Sequence, residues 1–214
     1  MTIQWQFPAV LCLVLTLALA SVAQNTATPA PTPLTAEERE AALKSLQATH
    51  DAFLKSIAGL SESQWRFKPA PDRWSVAEVS EHIAVSESAL LGLVQTKFMT
   101  SPADPAKRAE AMGKDPIILE KVPDRSHKVQ APEFLKPTHR FATREENIKA
   151  FEDSRQATMD YVRTTNDDLR DHFGPHPMLG TLDAYQWILL ISAHSERHTK
   201  QIEEVKADPN FPKE

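Results

Sequence analysis

Cysteine is almost missing from this chain. Of 214 residues one is a cysteine, Cys12, and it lies in an apolar run at the N-terminus. The rest of the protein can form no disulfide and has no thiol of its own. Glycine is scarce as well, 5 residues against 16 prolines. That argues against glycine-rich phosphate loops and against a sheet built on tight turns. A positive surplus is also lacking. Lys plus Arg number 24 and Asp plus Glu 29, giving a net charge of −5, so the basic footprint of a nucleic-acid binder is absent. The N-terminal apolar run, Phe7 to Ala20, falls short of the ~20 residues a membrane-spanning helix needs. What remains is ordinary globular composition, 41% apolar and 25% charged, with enough length for one domain and its core.

The short apolar run reads as the core of a signal peptide over residues 1–23. Ser21-Val22-Ala23 before Gln24 supplies a small-residue cleavage site. Its n-region carries no Lys or Arg, and an uncleaved anchor is the competing reading. Leu11 before Cys12 is not small, which speaks against lipoprotein cleavage. The reading implies an exported protein, periplasmic or secreted, with no membrane attachment once the signal is removed. Residues 24–33 (QNTATPAPTP) form a Pro-rich linker, residues 34–208 the folded domain, and 209–214 a short tail.

The domain reads as all-α. The first helix starts at Thr35, with Glu38 completing a capping box, and carries Leu43, Leu46, His50, Phe53, Ile57 and Leu60 on one face. Residues 61–73, with Pro69 and Pro71, read as a connecting turn. A second helix starts at Ser75, paired with Glu78, and ends near Met99. Its inner face holds Val79, His82, Ser86, Ala89 and Leu93. Residues 100–142 show no period, and Pro102, Pro105, Pro116, Pro123, Pro132 and Pro137 block long helices. They are expected to form a long crossover with at most one short helical turn, covering one end of the bundle. The third helix starts at Thr143, with Glu146 as its box partner and Ile148, Phe151, Arg155, Met159 and Val162 on its face. Residues 167–180 read as a loop. The fourth helix runs from near Thr181 to about Ala207, with Ala184, Trp187, Ile191, His194, His198, Gln201 and Val205 as its stripe. Four amphipathic helices with a long crossover between the second and third describe a four-helix bundle.

The histidines are placed unevenly. His194 and His198 stand four apart on one helix and share a face. His82 lies on the inner stripe of another helix. Two explanations stand at this point: hydrogen-bonded core histidines, or a facial three-imidazole set for a divalent ion with an open position. Burying three neighbouring imidazoles without partners would cost roughly 1–3 kcal/mol for each unsatisfied nitrogen. A zincin motif is excluded, because Glu196 in His194-Ser195-Glu196-Arg197-His198 points about 200° around the helix from His194. His50 reads as partly buried, His127, His139, His172 and His176 as solvated loop residues, Arg197 as an exposed helix arginine and Trp187 as core.

The stretch Asp72-Arg73-Trp74-Ser75-Val76-Ala77-Glu78-Val79 followed by His82 resembles the W-S-(apolar)-x-E-(apolar)-x-x-H signature of the DinB-like (DinB/YfiT-like) superfamily. His176-Pro177-Met178-Leu179-Gly180, Tyr185-Gln186-Trp187 and His194 to Ile202 agree with it in order. The resemblance implies a four-helix bundle and a metal triad on His82, His194 and His198. Zinc or nickel are the metals it implies first, with iron or manganese behind them. It also implies reactions such as metal-dependent transfer to bacillithiol or mycothiol, or isomerisation with mycothiol. The export signal departs from that pattern, since small-thiol cofactors are chiefly cytoplasmic.

The expected function is a metal-dependent enzyme of thiol-transferase or hydrolase type acting on a small molecule. No catalytic side chain beyond the ligands is identified. A non-catalytic periplasmic metal-binding or interaction protein is the alternative, and a bundle with a vestigial histidine cluster the third. Nucleic acid is not an expected partner, and a homodimer is compatible with the resemblance.

Overall fold

The computed structural model describes residues 1–2 and 32–213. The chain divides into two units, Met1–Ala30 and Pro31–Glu214. The expected signal peptide and linker fall almost wholly on residues 3–31, outside the described residues. In the second unit the elements are α1 (Ala36–Ile57), α2 (Glu62–Arg66), α3 (Val76–Leu93), α4 (Arg108–Ala111), α5 (Lys114–Lys121), α6 (Arg144–Thr164), β1 (Phe173–His176), β2 (Gly180–Asp183) and α7 (Ala184–Lys206). Among the described residues no helix is long and apolar enough to cross a membrane.

Helices α1, α3, α6 and α7 make the bundle. α1 packs on α6 and α7, and α3 packs on the same two. The helices that follow one another in sequence, α1 then α3 and α6 then α7, therefore face each other across the diagonal. Phe98, just beyond α3, meets Trp187 near the start of α7, while Trp74, just before α3, lies near His198. α3 and α7 are thus antiparallel neighbours.

Each long helix is started by the residue expected or by one nearby. Thr35 and Ser75 form full capping boxes with Glu38 and Glu78. Thr143 accepts the Glu146 N–H at 3.1 Å, but the Glu146 carboxylate takes the N–H of Ala142 at 2.8 Å. The box is shifted by one residue. Thr143 sits at φ −128°, against −62° and −73° for the other two caps, and this turns its own N–H aside. α7 begins later than expected. Asp183 caps it, with Gln186 closing the box, and Thr181 lies in a strand.

Three segments differ from expectation. Residues 167–180 are not loop throughout, for β1 and β2 pair as an antiparallel hairpin with Phe173 opposite Asp183 and His176 opposite Gly180. Gly180 closes the turn at φ +69°, a conformation that favours glycine. The connecting turn after α1 contains α2, capped by Ser61 and Gln64. The crossover holds two short helices and two 3₁₀ turns rather than a single turn. It covers a flank, not an end. α5 packs along α7, and the 3₁₀ turn at Glu133–Leu135 returns to α3. α3 itself continues as a π-helical turn, Val94–Phe98, so its rod ends near Met99 as expected.

The apolar core is in two parts. One contains Leu46, Leu91, Met159, Ile188 and Ile191, the other Phe53, Ile83, Phe151, Ile202 and Val205. Between them, along all four helices, the buried residues are polar: Thr49 on α1, Glu87 on α3, Arg155 on α6 and Ser195 on α7.

Candidate metal centre

The Ser75 cap starts α3, and the helical period then carries Val79, His82 and Ser86 onto one buried stripe. On α7 the four-residue spacing of His194 and His198 stacks two rings on the face opposite. The three rings meet. Their centroids lie 5.0 Å (His82–His194), 4.4 Å (His82–His198) and 4.4 Å (His194–His198) apart. One ring nitrogen from each falls within 4.8 Å of the others, a grouping that could hold a metal ion.

Hydrogen bonds behind the rings choose the nitrogens that face inward. Nδ1 of His82 lies 2.8 Å from the carbonyl oxygen of Leu135. A carbonyl can only accept, so Nδ1 carries the proton and Nε2 presents its lone pair. Nδ1 of His198 lies 2.8 Å from Gln201 Oε1, and the same oxygen accepts from Arg125 at 3.3 Å, which orients the amide. His198 is held in the same tautomer. Such outer partners are what metal-ligating histidines need to fix ring orientation. His82 Nε2 and His194 Nε2 stand 3.3 Å apart. The donor set therefore fits a divalent ion: one nitrogen from each ring within a common 4.8 Å, and two of the three rings braced from behind.

The electrostatics agree. Burial pushes the His194 imidazole down to about 3, helped by the neighbouring His82, Arg197 and His176. Burial and the two other rings hold His198 well below the usual range. Burial also lowers His82, against its bond to Leu135. All three are neutral near pH 7, the state in which imidazole binds metal.

Access is one-sided. His82 is 2% exposed and His198 9%, while His194 is half-buried. Trp74, half-buried, walls the side of His82 at 5.0 Å between centroids. The crossover closes the flank. Glu81, buried beside His82, accepts the Thr138 N–H at 2.7 Å. Arg197 donates to the carbonyl oxygens of Val122, Asp124 and His127. It is thus a clasp for the crossover and not the free surface arginine expected. Glu196 pairs with Lys200 at 2.7 Å at the surface, facing away from the triad as its spacing requires.

The other histidines do not join the three. His50 pairs with Asp51 and stacks on Phe151. His127 and His139 are exposed on the crossover, and His172 Nδ1 donates to the Phe98 carbonyl at 3.1 Å. His176 differs from expectation. It ends strand β1 half-buried, beside Trp187 at 5.6 Å, and its Nδ1 accepts the N–H groups of Met178 and Leu179.

One constellation escaped the sequence reading. Arg155 and Glu87, each 1% exposed, form a two-pronged ion pair at 2.9 and 2.6 Å. Ser195 donates to Glu87 and accepts from Arg155. Arg155 also reaches Thr49 Oγ1 at 2.8 Å and the Leu46 carbonyl. The available signal was a charged residue on the apolar stripe of the third helix, which requires a buried partner.

Known proteins give the comparison. YuaE of Bacillus subtilis (strain 168), an uncharacterized protein, is 25% identical over 150 residues, 70% of this chain and 88% of YuaE. The solved structure of YfiT from Bacillus subtilis, described as a probable metal-dependent hydrolase with an unusual four-helix bundle topology, superposes with a TM-score of 0.57 at 13% identity. The match covers 84% of this chain and 91% of YfiT, so the two share a fold. The family model of the DinB superfamily matches residues 45–202, a span that holds His82, His194 and His198 together with the helices that carry them, and the chain belongs to that superfamily.

Proposed function

We propose that this protein is an exported, metal-dependent enzyme of hydrolase type that holds one divalent ion, zinc or nickel first, on His82, His194 and His198 and acts on a small molecule. The observation that carries the reading is the bracing of His82 and His198 through Nδ1, which leaves Nε2 of each with its lone pair, while His82 Nε2 stands 3.3 Å from His194 Nε2. Three imidazoles suit zinc and nickel and leave positions open for water and substrate. Hydrolysis is favoured over thiol transfer by the description of YfiT and by the signal-like segment at residues 1–23.

A bound divalent ion would supply Lewis acidity and make a nucleophile available at neutral pH. The chain's own contribution is positional. Leu135 and Gln201 lock two rings, the crossover keeps solvent from the His82 side, and Trp74 lays an apolar wall against His82 and His198. Glu81 holds the crossover through the Thr138 N–H.

The test is metal content. Residues 24–214, purified without a His tag, are expected to carry about one equivalent of metal that the His82/His194/His198→Ala variant lacks. The metal so identified then sets the conditions for a screen of ester, amide and phosphoester hydrolysis. A protein that holds no metal and takes none up on reconstitution would end the enzyme reading.

A further inference from the structure

The polar layer between the two apolar halves lies on the same pair of helices as the histidines. On α3, Glu87 follows His82 by five residues, about 7.5 Å along the axis. On α7, Ser195 sits directly after His194 and three residues before His198. The hydrogen bond from Ser195 to Glu87 therefore joins α3 to α7 beside the triad. Arg155, from α6, grips Glu87 with two nitrogens and reaches α1 through Thr49 and the Leu46 carbonyl. All four helices meet at one buried ion pair.

Stability alone does not explain such a pair. Two charges taken out of water incur a desolvation cost that their attraction often fails to recover, and apolar replacements of similar volume are commonly no less stable. What the layer supplies is register. A shift of α7 by one turn, about 5.4 Å, or a rotation by one residue would take the Ser195 hydroxyl away from Glu87 and leave the buried pair without that partner. Two apolar halves without the layer would tolerate such sliding far better. We infer that Glu87, Arg155 and Ser195 are positioning residues for the histidine site: they set the height and rotation of α7 against α3, and through them the convergence of His194 and His198 on His82. The inference rests on the metal reading above.

The test separates affinity from stability. Wild type, Ser195→Ala and the double variant Glu87→Met/Arg155→Leu are compared for Zn²⁺ affinity by chelator competition, for the visible spectrum with Co²⁺, and for the melting temperature of the metal-free protein. Ser195→Ala removes only one hydroxyl and serves if the double variant fails to fold. The expected result is metal binding weakened at least tenfold, the range seen when outer-shell partners of a metal site are lost. It comes with a changed Co²⁺ spectrum in both variants and, in the double variant, a metal-free melting temperature equal to or above that of wild type. Affinity within twofold of wild type in the folded variants overturns the inference, as does a loss of affinity that leaves the Co²⁺ spectrum unchanged. Failure of the wild type itself to bind either metal is a different result, which removes the metal reading and this inference with it.

Discussion

The Nδ1 of His82 and the carbonyl oxygen of Leu135 stand 2.8 Å apart, so the crossover that wraps the bundle flank also sets the tautomer of a buried histidine on α3. The neighbouring tie, Glu81 to the Thr138 N–H, holds that segment down. Glu81→Ala is expected to cost about 0.5–1.5 kcal/mol by removing one hydrogen bond, to open residues 128–142 to limited proteolysis, and to weaken metal retention. Urea unfolding and protease mapping check it. An unchanged cleavage pattern would show that the crossover is held elsewhere.

The metal-free protein should be acid-sensitive. The three imidazoles are neutral in the folded state, while in the unfolded chain they protonate near the ordinary value of about 6.5. The unfolded state then binds more protons, and stability rises with pH. It is therefore present above about pH 6.5 and is lost as pH falls toward the depressed folded value, which for His194 is about 3. Each group contributes at most about 1.4 kcal/mol per pH unit within its window. Melting curves between pH 7.5 and 4.5 should fall more steeply for wild type than for the His82/His194/His198→Ala variant. Parallel curves would contradict the burial of the rings.

Gly174 cannot accept a side chain. A Cβ placed there would lie 2.1 Å from the Phe98 ring, and Phe98 in turn packs on Trp187, whose indole N–H donates to the Gly174 carbonyl at 3.3 Å. Gly174→Ala is expected to destabilise by about 1–3 kcal/mol, the usual cost of overpacking. Adding Phe98→Leu should recover part of the loss. Additive destabilisation in denaturant melts would mean that the two residues do not clash.

Trp74 is expected to report on the site. Its ring lies 5.0 Å from His82 and 6.5 Å from His198, so Co²⁺ or Ni²⁺ at the triad should quench its fluorescence. Trp74→Phe should lose most of that quenching while binding the metal. Full quenching in the variant would place the ion nearer another tryptophan.

The parts of this structure that follow from a local period were legible before any coordinates. The three-and-four spacing on the second and fourth helices brings His82, His194 and His198 inward, and Thr35 and Ser75 start their helices as their side chains demand. What was hidden depends on long-range partners or on position within an element. Pro116 looked like a helix breaker, yet it occupies the first turn of α5, where a missing N–H costs nothing. The hairpin was obscured by Gly174, Pro175 and Pro177, and its strands of 4 residues are too short for an alternation to show. Arg155 stood on an apolar stripe, but Glu87 lies 68 residues away, and no local rule pairs them.

The distance between His82 and His194 along the chain, 112 residues, has a consequence for when the site exists. Two of the three rings lie on α7, so no partial chain that stops short of His198 carries a complete donor set. A metal can be chosen only after α7 has docked on α3, in whichever compartment that packing takes place. If residues 1–23 act as an export signal, the ions available outside the cytoplasm, and not those where the chain is made, decide which metal this protein holds.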